Sequence, residues 1–204
     1  LQHHRFVQQT EDPDLVLSAP FPITRASMWR KVVRDLSGQT FYKQRFGHIA
    51  EGLRSRAPGE SALKVFGREL AKDRRFLLGN GVGLLAFALA GYGWAWLLMW
   101  LLPMATWLPL VSRVRNIAEH ALVAQNEADP LRQARTTHAG WLERILVAPY
   151  WVNYHCEHHM FTNLPCWALP KAHRLLQRRG TTARMEVQPG YLSLLKQATA
   201  AQPA

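Results

Sequence analysis

The chain has 204 residues, of which 48% are hydrophobic, and a formal net charge of +11. This length suits one domain, but a chain both so apolar and so basic is unusual for a soluble globular protein. Two cysteines, Cys156 and Cys166, cannot build the disulfide framework of a small secreted scaffold.

The first segment, residues 1–75, is predicted to carry a basic amphipathic helix. Between Arg25 and Arg75 the sequence holds thirteen Lys or Arg against five Asp or Glu. A basic helix with one apolar face more often lies on anionic lipid than on nucleic acid, so we expect a membrane partner and no nucleic acid. A loop, Arg56–Ser61, is expected to be an exposed linker. Apolar residues recur at helical spacing at Met28, Trp29, Val32, Val33 and Leu36.

The second segment, residues 76–111, contains no Asp, Glu, Lys or Arg. One helix of this length would reach roughly 54 Å, whereas a hydrocarbon core is about 30 Å thick. Because Gly91, Tyr92 and Gly93 interrupt the run, we predict two transmembrane helices joined by a tight turn, rather than the buried hairpin of a soluble protein. The flanking segments then share one side, and the basic residues at both ends indicate the cytoplasmic side.

The third segment, residues 112–204, contains the sequence NYHCEHHMF, Asn153 to Phe161. On a helix, His155, His158 and His159 stand at positions i, i+3 and i+4, so their side chains leave one face. Neutral imidazoles are common ligands of transition metals, and three crowded imidazoles are favoured when they share a cation. We interpret the motif as a metal site. The alternative is a solvated polar turn.

Further donors precede and follow the apolar run. His3 and His4 form an adjacent pair, while Asn116 and His120 lie four residues apart on the expected extension of the second transmembrane helix. An amide oxygen and an imidazole on one helix face suit a metal position. Three other metal motifs are absent from the sequence, namely HExxH, Glu-x-x-His and P-C-x-x-C.

The sequence from Asn153 to His173, NYHCEHHMFTNLPCWALPKAH, resembles the third histidine box of the integral-membrane fatty acid desaturase and hydroxylase superfamily. The order of the remaining motifs is also similar to that family: LQHHRF, two spans, N-x-x-x-H and the last box. The resemblance covers the chain from its start to about Leu176.

The resemblance implies a non-haem centre of two iron ions, held mainly by histidine nitrogens, that activates dioxygen with two delivered electrons. By likeness the metal ligands are the last pair of the second box, the third box and an extra ligand with a nearby amide: His3, His4, His155, His158, His159, His120 and Asn116. The first box and the first histidine of the second box are missing from this sequence. We therefore predict an N-terminally truncated piece that neither loads two irons stoichiometrically nor turns over alone.

The predicted fold is an all-α membrane protein, in which a transmembrane helical hairpin carries a cytoplasmic helical cap with the histidine boxes. The predicted function is oxygen-dependent desaturation of a fatty acyl chain or related lipid, with a ferredoxin or a b-type cytochrome as electron donor. Two alternatives remain: a lipid hydroxylase or carotenoid ketolase with the same site, and a non-catalytic membrane protein that binds metal.

Other residues receive weaker interpretations. Glu157 either accepts the second ring N–H of a ligand imidazole or is an exposed carboxylate. His48, His138 and His173 are expected to be structural or on the surface. The apolar stripe that starts at Trp141 either lines an acyl tunnel or lies in the membrane interface.

Overall fold

The computed structural model describes residues 2–200 and is mostly helical. It contains two compact units. The histidine unit comprises residues 2–29 and 111–200, and the hairpin unit comprises residues 30–110. Two helices have residues in both units: α3, Arg25–Leu36, and α9, Trp107–His120.

The hairpin unit is built from helices that follow each other after short turns. Helices α4, Gln39–Arg54, and α5, Ala62–Lys72, pack together across the predicted linker loop, which is exposed. The elements in chain order are α4 Gln39–Arg54, α5 Ala62–Lys72, α6 Arg74–Leu89, α7 Gly93–Trp96, a π-helical turn Leu97–Leu101 and α8 Leu102–Ala105.

A tight turn reverses the chain between α6 and α7, where the sequence predicts it. Gly91 has φ +81°, a backbone conformation that residues with a Cβ rarely adopt. The ring of Phe87 lies 5.3 Å from that of Trp96, and Trp100 Nε1 donates a hydrogen bond to Asn80 Oδ1 at 3.1 Å. The two helices therefore run antiparallel and in contact.

Apolar side chains on this helical hairpin remain exposed. Among residues 2–200, one helix, Gly93–His120, is long and apolar enough to cross a membrane by its length and composition. It contains the second predicted span. The first predicted span corresponds to α6, which has 16 residues.

Charged side chains fix the start of α6. Asp73 lies between α5 and α6, where its carboxylate oxygens are 3.3 Å from His48 Nε2 and 3.5 Å from Arg45 Nη1. The neighbouring Glu69 is buried and pairs with Arg68 and Lys72. His48 is thus structural, as expected.

The histidine unit surrounds the end of α9. The core lies between α9 and the last helix, where Ile117, Ala118 and Leu194 are almost fully buried. Its elements are α1 Gln2–Arg5, α2 Leu15–Ser18, β1 Arg135–Thr137, α10 Trp141–Leu146, a 3₁₀ turn Pro149–Trp151, α11 His155–Met160, a 3₁₀ turn Cys166–Ala168, α12 Leu169–Arg178, a 3₁₀ turn Thr181–Arg184, β2 Glu186–Gln188 and α13 Tyr191–Ala198.

One departure from the all-α expectation is the parallel pair of β1 and β2, in which Thr136 stands opposite Val187. Each strand has only three residues, too few for an alternating pattern to be recognised in the sequence. Despite its size β1 is buried along its whole length and contacts both α9 and α11.

Candidate metal centre

Three helices from distant parts of the chain bring four histidines to one point. His3 lies on α1, His120 is the last residue of α9, and His155 and His159 lie one turn apart on α11. Adjacent pairs of Nε2 atoms are separated by 3.1 Å (His3 to His120), 2.9 Å (His120 to His155) and 3.0 Å (His155 to His159). One nitrogen from each of the four lies within 4.8 Å of every other. We call these residues the four-histidine cluster.

Hydrogen bonds between the rings cannot account for this arrangement. Each Nε2 carries either one hydrogen or one lone pair, so the Nε2 of His120 can bond to only one of its two close neighbours. The same holds for His155, which lies between His120 and His159. At most two of the three contacts can then be hydrogen bonds, and the third is left without one. A shared cation accounts for all three contacts because all four nitrogens can direct lone pairs at it.

His4 and His158 form a second group beside the cluster. The ring of His4 stacks on His159 with 4.6 Å between centroids, and it meets His158 edge-on at 4.8 Å. The Nδ1 of His4 is shielded from solvent without a hydrogen-bond partner among residues 2–200, and so is the Oδ1 of Asn116, which lies one turn before His120 on α9. A second cation near His4 would find a nitrogen that the protein leaves unsatisfied.

Burial keeps the histidines of α11 neutral. It lowers the pKa of His159 to about 2, with further contributions from the neighbouring imidazoles, and it lowers the pKa of His155 well below the usual range. The pKa values of His158 and His4 are lowered as well, first by burial and then by nearby imidazoles. A neutral imidazole presents the lone pair that a metal requires.

A buried carboxylate supports His3. Its Nδ1–H donates to Asp12 Oδ1 at 2.8 Å, so the lone pair is on Nε2, the atom that faces the cluster. Burial alone would raise the pKa of Asp12, but hydrogen bonds from His3 and from two backbone N–H groups outweigh it and lower the pKa. Gln8 is also buried and donates from Nε2 to the carbonyl of His120 at 2.9 Å. Neither residue can be recognised from the sequence, since neither stands at a fixed spacing from a histidine box.

The structure corrects both interpretations of Glu157. This residue is fully buried, and its partners are not metal-facing imidazoles. Its Oε1 accepts a hydrogen bond from Nδ1 of His173 at 2.5 Å, and its Oε2 accepts one from Oγ1 of Thr136 at 2.5 Å. The carboxylate leaves α11 on the side opposite His155, because two residues span about 200° of an α-helix. Glu157 therefore fastens α11 to β1 and α12.

The donor set fits a transition metal. Ligand nitrogens about 2.1 Å from one ion and at right angles to each other lie about 3 Å apart, as the neighbouring Nε2 atoms do. Imidazole suits iron, zinc, copper and nickel. Of the predicted ligands, the four-histidine cluster could hold one ion, and His4 and His158 lie beside it, where they could serve another. Asn116 lies one turn before His120 on α9.

A cavity of about 230 Å³ adjoins the histidines. His155 and His158 contribute to its wall together with Arg115, and the remaining lining is mainly apolar. A larger cavity of about 620 Å³ lies between the end of α11 and α12. Leu164 lines both cavities.

The remaining histidines and the apolar stripe of α10 lie outside the four-histidine cluster. His138 is exposed, and His173 is structural because its Nδ1 donates a hydrogen bond to Glu157. The stripe on α10 is exposed, with Trp141 and Ile145 each 66% accessible, and it does not line the cavity at His155. This exposure favours the membrane interface over an acyl tunnel.

Comparison with known proteins identifies the family of this chain. Residues 1–189 match the protein family described as fatty acid desaturase. A curated relative, dihydrorhizobitoxine desaturase from Bradyrhizobium elkanii, is 29% identical over 95 residues, which are 47% of this chain and 24% of that protein. No solved structure matches the chain. Because the family match extends over nearly all of the sequence, the chain belongs to the fatty acid desaturase family.

Proposed function

We propose that the protein takes part in oxygen-dependent desaturation of a fatty acyl chain or a related lipid, at a centre of two iron ions. The observation that carries the proposal is the meeting of the Nε2 atoms of His3, His120, His155 and His159. Iron held there supplies, with dioxygen and two delivered electrons, the oxidising power needed to remove hydrogen from an unactivated methylene. Two vicinal hydrogens, two electrons and two protons leave with dioxygen as two molecules of water.

The side chains around the site have distinct tasks in this proposal. Asp12 holds His3 in the tautomer that directs Nε2 at the metal. Glu157 holds α11 so that His155 and His159 face inward. Burial of the cluster excludes bulk water, which limits side reactions during oxidation.

Desaturation is preferred over oxygen insertion because the similar protein from Bradyrhizobium elkanii is named a desaturase. That relative is named for dihydrorhizobitoxine and not for a fatty acid, so substrates other than ordinary acyl chains belong among those tested. A hydroxylase or ketolase would give products that contain oxygen from dioxygen. Mass spectrometry of products formed under ¹⁸O₂ separates these outcomes.

Three further parts of the proposal concern location and partners. Residues 76–111 cross the membrane twice, and residues 1–75 and 112–204 lie on the cytoplasmic side with the metal site. Support comes from the antiparallel contact of α6 with α7 and from the apolar helix Gly93–His120. Trypsin should therefore cut at Arg56 and Arg179 in inside-out vesicles but at neither site in right-side-out vesicles. The remaining part is the electron donor, which is a ferredoxin or a b-type cytochrome.

Oxygen consumption and metal content test the proposal directly. Reconstituted with iron and a reductant system, the complete enzyme should consume oxygen only when substrate is present. His155→Ala should abolish this activity, whereas His138→Ala, which changes an exposed histidine outside the cluster, should retain it. For residues 1–204 alone we expect one tightly bound ion and a weak second one, since a single group of four nitrogens converges within residues 2–200. Equal loss of activity in both variants would contradict the proposal.

A further inference from the structure

The cavity of about 230 Å³ beside His155 and His158 has one permanently charged side chain in its lining, Arg115. Tyr150, Val152, Leu164 and Leu169 make most of the remaining wall apolar. A guanidinium in an otherwise apolar wall favours a ligand that combines hydrocarbon with negative charge.

Arg115 retains capacity for such a ligand. Its Nη2 donates to Glu119 Oε1 at 3.4 Å, a long contact that uses one of five N–H donors. Its Nε–H is shielded from solvent and has no hydrogen-bond acceptor among residues 2–200. Buried donors without acceptors are rare in proteins, and an acceptor supplied by a ligand would satisfy this one. Carboxylate and phosphate oxygens match the fork of the guanidinium.

The size of the cavity limits how far the charge can lie from the metal ligands. At about 30 Å³ for each water-sized group, the cavity accommodates roughly eight such groups. Arg115 and His155 both line this small volume. A ligand whose anionic group lies at Arg115 therefore has only a few bonds between that group and the carbons that lie beside the histidines.

We propose that this cavity binds a carboxylate or phosphate of the substrate at Arg115, so that the reacting carbons lie a few bonds from that anionic group. The position of the reacting carbons rests on the proposed function, whereas binding of the anionic group at Arg115 does not. A substrate of this class carries its charge next to the site of reaction, and any longer apolar part extends past Leu164.

Cys166 allows a direct test because its half-buried thiol lines the same cavity. The other cysteine, Cys156, is fully buried, and its Sγ donates to the carbonyl of Leu131. A reagent in solution does not reach a fully buried thiol in the folded chain, which keeps Cys156 unreactive. Alkylation by iodoacetamide should therefore report on Cys166 alone in the folded chain.

The experiment measures how three probes of similar size slow alkylation of Cys166 in the metal-free chain in detergent, at about pH 8. The probes are hexanoate, hexyl phosphate and hexan-1-ol. We expect at least one anionic probe to protect Cys166 at concentrations roughly tenfold lower than hexan-1-ol, as a charged hydrogen bond implies. Better protection by hexanoate identifies a carboxylate, and better protection by hexyl phosphate identifies a phosphate.

Two substitutions complete the test. Arg115→Gln should remove the preference for anions. Arg144→Gln should keep it, because this matched variant loses the same charge from a side chain that lies over the Trp151 ring and outside the cavity. Mass spectrometry showing Cys156 unlabelled confirms that each variant is folded. If Arg115→Gln fails this check, Arg115→Lys replaces it and should retain a weaker preference for anions.

Equal protection by hexan-1-ol and the anions in the unmodified chain would overturn the proposal, and so would an anion preference that survives in folded Arg115→Gln. Both measurements are made without metal and without turnover. A failure to bind iron would therefore contradict the proposed function and leave the anion site standing, while loss of the anion preference would leave metal binding untouched.

Discussion

Two buried histidine environments lie on opposite sides of α11. On one side His155 and His159 meet other imidazoles, nitrogen to nitrogen, at about 3 Å. On the other side His173 meets the carboxylate of Glu157, and that carboxylate has a second donor in Thr136. The second environment is complete within the protein, whereas the first has more close nitrogen–nitrogen contacts than its hydrogen bonds can account for. The partner of a buried imidazole thus distinguishes a structural histidine from a metal ligand.

The largest effect is expected when the first environment is removed. The double substitution of His155→Ala and His159→Ala should weaken metal binding by more than about 100-fold, because loss of direct ligands exceeds the loss seen for supporting groups. Competition titration with Co²⁺ or Zn²⁺ measures the affinity. His138→Ala serves as the control, since that side chain is exposed. Tight binding in the double variant would mean that the metal is held elsewhere.

Breaking the second environment should lower stability instead. His173→Phe leaves Oε1 of the buried Glu157 without its hydrogen-bond donor, and an unsatisfied buried acceptor typically costs about 1–3 kcal/mol, more when it is charged. The free energy of unfolding in detergent gives the size of the loss. Gln177→Phe, at an exposed position of the same helix, should stay within about 0.5 kcal/mol of the unmodified protein.

A second substitution sharpens this result. Combining His173→Phe with Glu157→Leu removes the unpaired carboxylate, so most of the lost stability should return. If the double variant is no more stable than His173→Phe, the loss arises from packing and not from the buried charge.

A smaller change is expected at the carboxylate that supports the cluster. Asp12→Asn should weaken metal binding about 10- to 100-fold, as for other groups that orient a ligand imidazole. Asp14→Asn is the matched control because Asp14 is more exposed and its Oδ2 lies 3.6 Å from His3 Nδ1. Equal affinities for the two variants would show that the bond of Asp12 to His3 does not support the metal.

Acid should destabilise the metal-free protein through the first environment. In the unfolded chain a histidine takes up a proton near its ordinary pKa of about 6.5, but in the folded chain the pKa of His159 is about 2. The unfolded state therefore binds more protons below about pH 6.5, and the metal-free protein loses stability as the pH falls. His159 contributes about 1.4 kcal/mol per pH unit to this loss.

Thermal unfolding between about pH 7 and pH 5 measures this dependence. The midpoint should fall with acid in the metal-free protein, and the slope should be shallower in the variant without His155 and His159. A flat profile in the unmodified protein would show that the folded cluster accepts protons as readily as the unfolded chain does.

The clustered histidines could be recognised in the sequence where local geometry determines their position. The spacing of His155 and His159 places both on one helix face, and the structure has this face directed at His120. The tight turn at Gly91 follows equally from local signals, since glycine tolerates a positive φ.

The supports of the cluster could not be predicted in this way. Thr136 and Glu157 are 21 residues apart, and Gln8 and His120 are 112 apart. Such pairs depend on the tertiary fold, and no spacing in the sequence signals them. The same limit explains why both interpretations of Glu157 were wrong, since they considered only its neighbours along the helix.

The three residues of β1 have a consequence for how this protein tolerates insertions. Successive side chains of a strand point to opposite faces, and here Arg135 Nη1 donates to the carbonyl of Ala121 while Thr136 turns the other way to Glu157. The strand thus sets the spacing between the helix end that carries His120 and the helix that carries His155. One added or deleted residue in β1 would exchange its two faces and separate the ligands, although no histidine had changed.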